Sequence, residues 1–276
     1  MRYALALFIL TTTATAQELS GFIDANYASR KDEFALNLAQ VQWARAAKPL
    51  GFTIAAVAGK SDRRLYQASA AYRLPGGLTL EGGIYPSHIG LESFYTKDNW
   101  NYSHSIMAEA SPYYQAGINA RYAFNEHWSG RIDVLNGWQR IHSSAKAIGT
   151  QLAYNNDALT ASFNTFLDSQ RQFGDVVLIY KATPHLQLGA TVDLGTQDDS
   201  NWSGAGVYAR LPINRHAITL RAERFRDPDH IVTSAAQRMS EATLTYELRP
   251  RDHVILKFEG RYDDQFIAIA GAVVTF

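Results

Sequence analysis

Between residues 128 and 140 apolar and polar positions alternate with a period of two. Trp128, Gly130, Ile132, Val134, Asn136 and Trp138 fall on one face, and Ser129, Arg131, Asp133, Leu135, Gly137 and Gln139 on the other. The first face is apolar with a tryptophan at each end; the second carries opposite charges. At about 3.3 Å rise per residue and about 40° of tilt, the two tryptophans stand about 25 Å apart along a barrel axis. That is about the height of the lipid-facing band of a transmembrane β-barrel, which has aromatic residues at both boundaries. The run predicts a membrane-crossing strand with Ile132 at mid-bilayer. A half-buried strand of a soluble sandwich alternates in the same way, so the choice depends on the rest of the chain.

The pattern repeats from end to end. About sixteen runs are legible, near 18–29, 34–47, 51–60, 65–74, 78–86, 113–124, 128–140, 145–155, 158–169, 174–183, 186–197, 203–211, 216–227, 238–249, 253–264 and 266–276. Their lengths suit tilted membrane strands. Tight connections rich in Pro, Gly, Asn and Asp, such as Pro75-Gly76-Gly77, Asn125-Glu126-His127 and Asn214-Arg215, recur at alternate junctions. The other junctions vary, and one, Ser87 to Pro112, is long. Short turns on one side and longer loops on the other are the habit of outer-membrane barrels. Register is lost near Gln40, which predicts a β-bulge. The fold expected is all-β: a transmembrane antiparallel up-and-down β-barrel of about 16 strands, with 14 or 12 as alternatives.

Composition adds the compartment. Arg2, the apolar run Ala4 to Leu10 and Ala14-Thr15-Ala16 have the layout of a secretory signal peptide cleaved after Ala16. That leaves 17–276 as the barrel, exported to a bacterial outer membrane. The chain has no cysteine, which excludes a disulfide scaffold and thiolate metal sites. Its 26 basic and 26 acidic residues balance, giving no support for a nucleic-acid partner. A hydrophobic content of 46% suits a barrel, since only every second strand residue meets lipid. In the last run Phe266, Ala268, Ala270, Ala272, Val274 and Phe276 share one face. A terminal Phe on such a strand resembles the signal read by the outer-membrane insertion machinery.

The middle of the chain carries a resemblance. Gly90-Leu91-Glu92-Ser93, Asn99-Trp100-Asn101-Tyr102-Ser103, Pro112-Tyr113-Tyr114-Gln115-Ala116-Gly117, Tyr122-Ala123-Phe124, Trp128 and Val134-Leu135-Asn136-Gly137-Trp138 resemble the OmpL-like β-barrel porin family. The likeness spans roughly residues 80–140. It implies a porin, through which small hydrophilic solutes and ions diffuse passively, with no catalytic residues and no cofactor. Outer-membrane lipid and lipopolysaccharide would surround the barrel. Monomer and homotrimer both stay open.

Candidate site residues follow from the faces. Arg73, Glu81, Arg121, Arg131, Asp133, Lys181, Asp193, Arg210, Arg221, Glu223, Lys257, Glu259 and Arg261 are expected to line the pore, with Asp24, Glu241 and Glu247 beside them. Both signs occur, so weak ion selectivity is expected. The long connection is the third loop on its side, and its position predicts a constriction folded into the lumen; an external lid is the other placement. Glu92, Lys97, Asp98, His104 and Glu109 would face water, while Phe94, Tyr95, Trp100, Tyr102, Ile106 and Met107 would pack on the wall, with a helical turn over 105–110. Trp128, Trp138 and Phe276 would form the aromatic girdle. Two enzyme readings compete. His142, Ser143 and Ser144 with Asn156 have the composition of a phospholipase triad, but strand geometry puts Asn156 at the opposite end of the barrel. Asp198, Asp199, Asp227, Asp229 and His230 resemble the acid and acid–histidine pairs of omptin proteases, though Asp and Pro are also ordinary loop formers. A non-transporting structural or adhesive barrel is the third alternative. No metal-ligand spacing stands out.

Overall fold

The computed structural model describes residues 17–60, 64–233 and 237–276, so the proposed signal peptide lies outside the described residues. The strands are β1 (Glu18–Ala28), β2 (Glu33–Arg45), β3 (Leu50–Gly59), β4 (Leu65–Arg73), β5 (Thr79–Pro86), β6 (Tyr114–Ala123), β7 (Trp128–Leu135) and β8 (Ala147–Asn155). They continue with β9 (Leu159–Leu167), β10 (Arg171–Thr183), β11 (Leu186–Gln197), β12 (Ser200–Ile213), β13 (His216–Arg226), β14 (Arg238–Arg251), β15 (Val254–Tyr262) and β16 (Phe266–Thr275). Each pairs antiparallel with the next, and β16 returns to β1 to close a sixteen-stranded barrel. At the seam Gly21 and Phe276 exchange both backbone hydrogen bonds, each at 3.0 Å. Closure leaves no edge unpaired, which a strand in lipid requires.

Cross-strand register turns the alternation into two surfaces. Asn119 faces Asp133, and Ile118 faces Val134. Asn119 and Asp133 are buried inside the barrel, whereas Ile118 and Ile132 are 63% and 58% exposed on its outside. Ile54, Phe163, Leu194, Val207, Leu220 and Leu244 are likewise exposed on strands round the wall, and a continuous apolar outer surface of this kind suits hydrocarbon. Among the described residues no helix is long and apolar enough to cross a membrane.

Three expectations are corrected. The seventh strand ends at Leu135 rather than 140, because Gly137 and Gln139 adopt positive φ, 116° and 52°, and turn the chain away. The bulge lies at Asn37 rather than Gln40: Asp24 pairs with Leu38 and Ala25 with Leu36, leaving Asn37 extra. Its amide then donates to Asp24 at 2.6 Å, which holds the irregularity in place. Finally, β10 and β12 begin three residues earlier than their alternation suggested, because the tight turn at Asp198 and Asp199 carries β11 out to Gln197, where it pairs with Arg171 of β10 and Ser200 of β12.

The apolar core sits in the bore. One cluster joins Phe22, Leu38, Val57, Tyr66, Ile255 and Val273. A second joins Tyr85, Leu135, Ala147, Phe166, Phe173, Trp202 and Phe225. Both pack against the segment between β5 and β6.

Candidate functional site

The segment 87–113 crosses the lumen. It leaves β5 against β7–β10, where the His88 imidazole lies 3.6 Å from Asp133 and Gly90 N–H donates to Asp175. Phe94 then stacks on Tyr66 of β4, and Tyr95 meets Phe22 of β1 edge-on. A 3-10 turn, Thr96–Asp98, follows. The chain returns along β14 and β15, forms the single helical turn α1 (Ile106–Glu109) against β12 and β13, and ends with Ser111 beside Asp193 of β11.

Charged wall residues hold this path through its backbone. The Lys257 ammonium donates to the carbonyls of Thr96, Asn99 and Asn101, at 2.8, 2.5 and 3.2 Å, which occupies all three of its protons. Glu259 accepts from the N–H groups of Tyr102 and Ser103 at 2.6 and 3.0 Å. Arg221 donates to the Ser103 carbonyl at 2.7 Å, to Glu92 at 3.0 Å and to Glu241. The first turn of α1 has N–H groups without helical partners. Glu223 accepts those of Ile106 and Met107, at 2.7 and 3.2 Å, while the Ser105 hydroxyl caps Ala108 at 3.0 Å. A buried carboxylate or ammonium is stable only when so satisfied, so these charges and this segment require each other. Small wall residues make room: a side chain at Gly271 would run into the Tyr102 ring, and one at Gly204 into Met107.

The sequence-derived residues therefore divide. Arg221, Glu223, Lys257 and Glu259, expected to line open water, lie buried beneath the segment instead. Asp133 and Asp193 are also buried, and Glu81 is bound by Arg121 at 2.9 Å. Arg131 pairs with Asp133, Arg210 with Glu247 and Arg261 with Glu241, at 2.7, 2.8 and 2.7 Å. Arg73 and Lys181 are exposed and form no ion pair with the described residues. Within the segment Glu92 is a correction: its side chain is 3% exposed because it accepts from Ser105 N–H and Tyr208 as well as Arg221. His104 is also largely covered, donating from Nε2 to the Ser93 carbonyl. Lys97, Asp98 and Glu109 remain accessible. The His104 contact and its hydrogen bond hold the Glu109 carboxylate below its ordinary range, against the opposing effect of burial. A cavity of about 290 Å³ opens here, lined by Lys60, Thr96, Tyr102, His104, Glu109 and Arg261 among others.

The girdle needs one correction. Trp128 is 42% exposed on the outer face beside Tyr154, and Phe276 is 60% exposed. Trp138, by contrast, packs inward on Phe166 and Phe173, with the Arg171 guanidinium 4.6 Å above its ring. The turn after Leu135 rotates it off the lipid face. Tyr27, Phe34, Tyr262 and Phe266 supply aromatics at that end instead. The inward-facing Phe166, Phe173, Trp202 and Phe225 escaped the sequence reading; each is an aromatic placed out of phase with its strand's outer face.

The enzyme-like groups have other occupations. Asn156 accepts from Ala158 and Leu159 N–H in the β8–β9 turn, the far end of β8 from His142. Asp227 is buried and accepts three backbone N–H groups, from Ile231, Val232 and Thr233. Asp198 and Asp199 form the positive-φ turn already described.

A family model described as "Putative beta-barrel porin-2, OmpL-like" matches residues 11–272. No curated protein matches. The solved structures it resembles include the outer membrane channel DcaP of Acinetobacter baumannii, with TM-score 0.71 and 12% identity over 94% of this chain and 97% of that one. Salmonella typhi OmpF in complex with daunomycin gives 0.70 and 12%, over 94% and 97%. A mutant of Rh. blastica porin gives 0.70 and 11%, over 95% and 100%. At these identities the likeness is one of fold.

Proposed function

Because the chain belongs to the OmpL-like β-barrel porin family whose description its residues 11–272 match, we propose that it is a diffusion channel of a bacterial outer membrane, constricted by segment 87–113. Small hydrophilic solutes and ions are its substrates, and it catalyses no reaction. The observation that carries this reading is the closed sixteen-stranded wall, apolar outside and polar within. Barrels of this strand number are wide enough to enclose an aqueous channel, whereas eight strands are filled by their own side chains. Segment 87–113 narrows that bore by crossing it, held on β1, β4 and β7 as well as on β10–β15, and Lys97, Asp98 and Glu109 are its water-facing groups. The outer aromatics Trp128 and Phe276 sit at one membrane boundary. Lipid and lipopolysaccharide cover the apolar surface, and the Phe276 strand offers the insertion machinery its handle.

The test is single-channel recording in planar bilayers, with the parent chain and a variant in which 96–109 are replaced by a short Gly-Ser link. Discrete openings in the parent and a clear rise in conductance in the variant are expected. A parent without openings contradicts the channel. Equal conductance contradicts the constriction.

A further inference from the structure

Three arginines break the apolar outer surface. Along β13 the outward side chains are Ile218, Leu220 and Ala222, followed on the same face by Arg224 and Arg226. Arg238 of β14 stands directly opposite Arg226 in the register, and Ser240 opposite Arg224. Cross-strand partners have Cβ atoms about 4.5–5.5 Å apart, and like charges so placed repel. All three arginines are exposed, and none forms an ion pair among the described residues. Asp227, the next residue after Arg226, is buried and taken up by three backbone N–H groups.

Their height fixes what surrounds them. β13 leaves a short turn at His216, and Arg224 and Arg226 lie eight and ten residues further on. At about 3.3 Å rise and about 40° of tilt that is about 20 and 25 Å, the far boundary of the lipid-facing band. This is the long-loop end, which faces outside in outer-membrane barrels. A groove of about 640 Å³ crosses the outer surface there, from β9 to Arg226. Its lining joins the exposed Leu167 and Leu194 to the polar Gln172, Asn201 and Ser203, and Asp229 is its one acid. In the register Leu194, Ser203, Arg226 and Arg238 follow one another across β11–β14, so the groove runs into the arginine pair.

We propose that Arg224, Arg226 and Arg238, with the adjoining groove, hold a phosphate group of an acylated glycolipid, the chemistry of lipopolysaccharide. This site rests on the chain being an outer-membrane barrel, and gives the place on it where such a lipid is fixed. Guanidinium forks match phosphate oxygens with paired hydrogen bonds, and an anion there relieves the repulsion between Arg226 and Arg238. Leu194 and Leu220, 62% and 55% exposed, offer acyl chains an apolar surface alongside, which a free phosphate ion does not use. Gln172, Asn201 and Ser203 supply donors and acceptors for sugar hydroxyls. A zwitterionic phospholipid brings an ammonium with its phosphate, which three cations disfavour.

The experiment uses the full chain folded in detergent free of lipopolysaccharide. Lipid A carrying both phosphates is added in steps, and native mass spectrometry counts the lipid retained. Lipid A stripped of phosphate, phosphatidylethanolamine and inorganic phosphate are run in parallel. The expected result is one lipid A held by the parent, with affinity falling at least about tenfold in the triple variant R224Q/R226Q/R238Q. The phosphate-free lipid should bind the parent as weakly as lipid A binds the variant, and excess inorganic phosphate should not displace the lipid. If the triple variant fails to fold, R226Q alone should weaken binding about fivefold. A variant that binds as the parent does, or a parent that holds the phosphate-free lipid or phosphatidylethanolamine equally well, overturns the proposal. So does displacement by inorganic phosphate. Recording the parent in lipid bilayers tests the channel separately: openings without lipid A binding count against this site alone.

Discussion

His88 shows how the lumen sets the behaviour of a single side chain. It is the second residue of the segment and faces β7 and β9, with Nδ1 3.6 Å from Asp133 and Nε2 3.4 Å from the Thr165 carbonyl. Burial lowers its pKa from the ordinary 6.5; Asp133 opposes this without overcoming it. The imidazole is therefore held neutral. The unfolded chain, with the ordinary value, takes up a proton first as pH falls. His88 thus favours the fold fully above pH 6.5, and that contribution declines as pH drops from 6.5 toward the lower folded value. His88→Gln should flatten the pH dependence of the unfolding temperature in that window. An unchanged slope would mean that His88 is not the group responsible. Tyr102 and Tyr113 are pushed upward by burial and by Asp24 and Glu109 respectively, so they stay protonated throughout.

At the level of strands the alternation was legible because each side chain has only two directions to choose from. Trp128 and Ile132 point outward and Arg131 and Asp133 inward, the two faces that the alternation separates. Replacing Ile132 with Arg should cost about 2–4 kcal/mol, the depth-dependent cost of a cation at mid-bilayer. Equal unfolding midpoints in a lipid or detergent titration would mean the faces are reversed. Trp138 misled because period two runs on through Asn136, Gly137 and Trp138, while the Gly137 and Gln139 backbone leaves the strand. Alternation also cannot announce that the inner face is itself covered. Phe22, Val57 and Ile255 point inward because the aromatics of 94–102 fill the bore beside them. Glu92 was legible as a polar loop residue, but its partner Arg221 is 129 positions away and only the closed barrel brings them together.

For the whole molecule, the distribution of charge decides what ions meet. The 26 basic and 26 acidic residues balance, and most lumen charges are neutralised in place: Arg131 by Asp133, Arg210 and Arg249 by Glu247, Arg261 by Glu241. Arg73 and Lys181 are exposed lumen cations with no ionic partner among the described residues. Ion selectivity should be weak with a slight lean toward anions. Arg73→Glu with Lys181→Glu should move the reversal potential under a salt gradient toward cations. A potential that does not move would place the conducting path elsewhere. The central claim, that 87–113 narrows the path, has a more direct test. Asp98 is an accessible residue of the 3-10 turn, its side chain 47% exposed, and the chain contains no cysteine. Asp98→Cys therefore offers a single thiol to a charged methanethiosulfonate reagent during recording. The account predicts a stepwise fall in current on labelling, reversed by reductant. Current that is untouched while labelling goes to completion would contradict it.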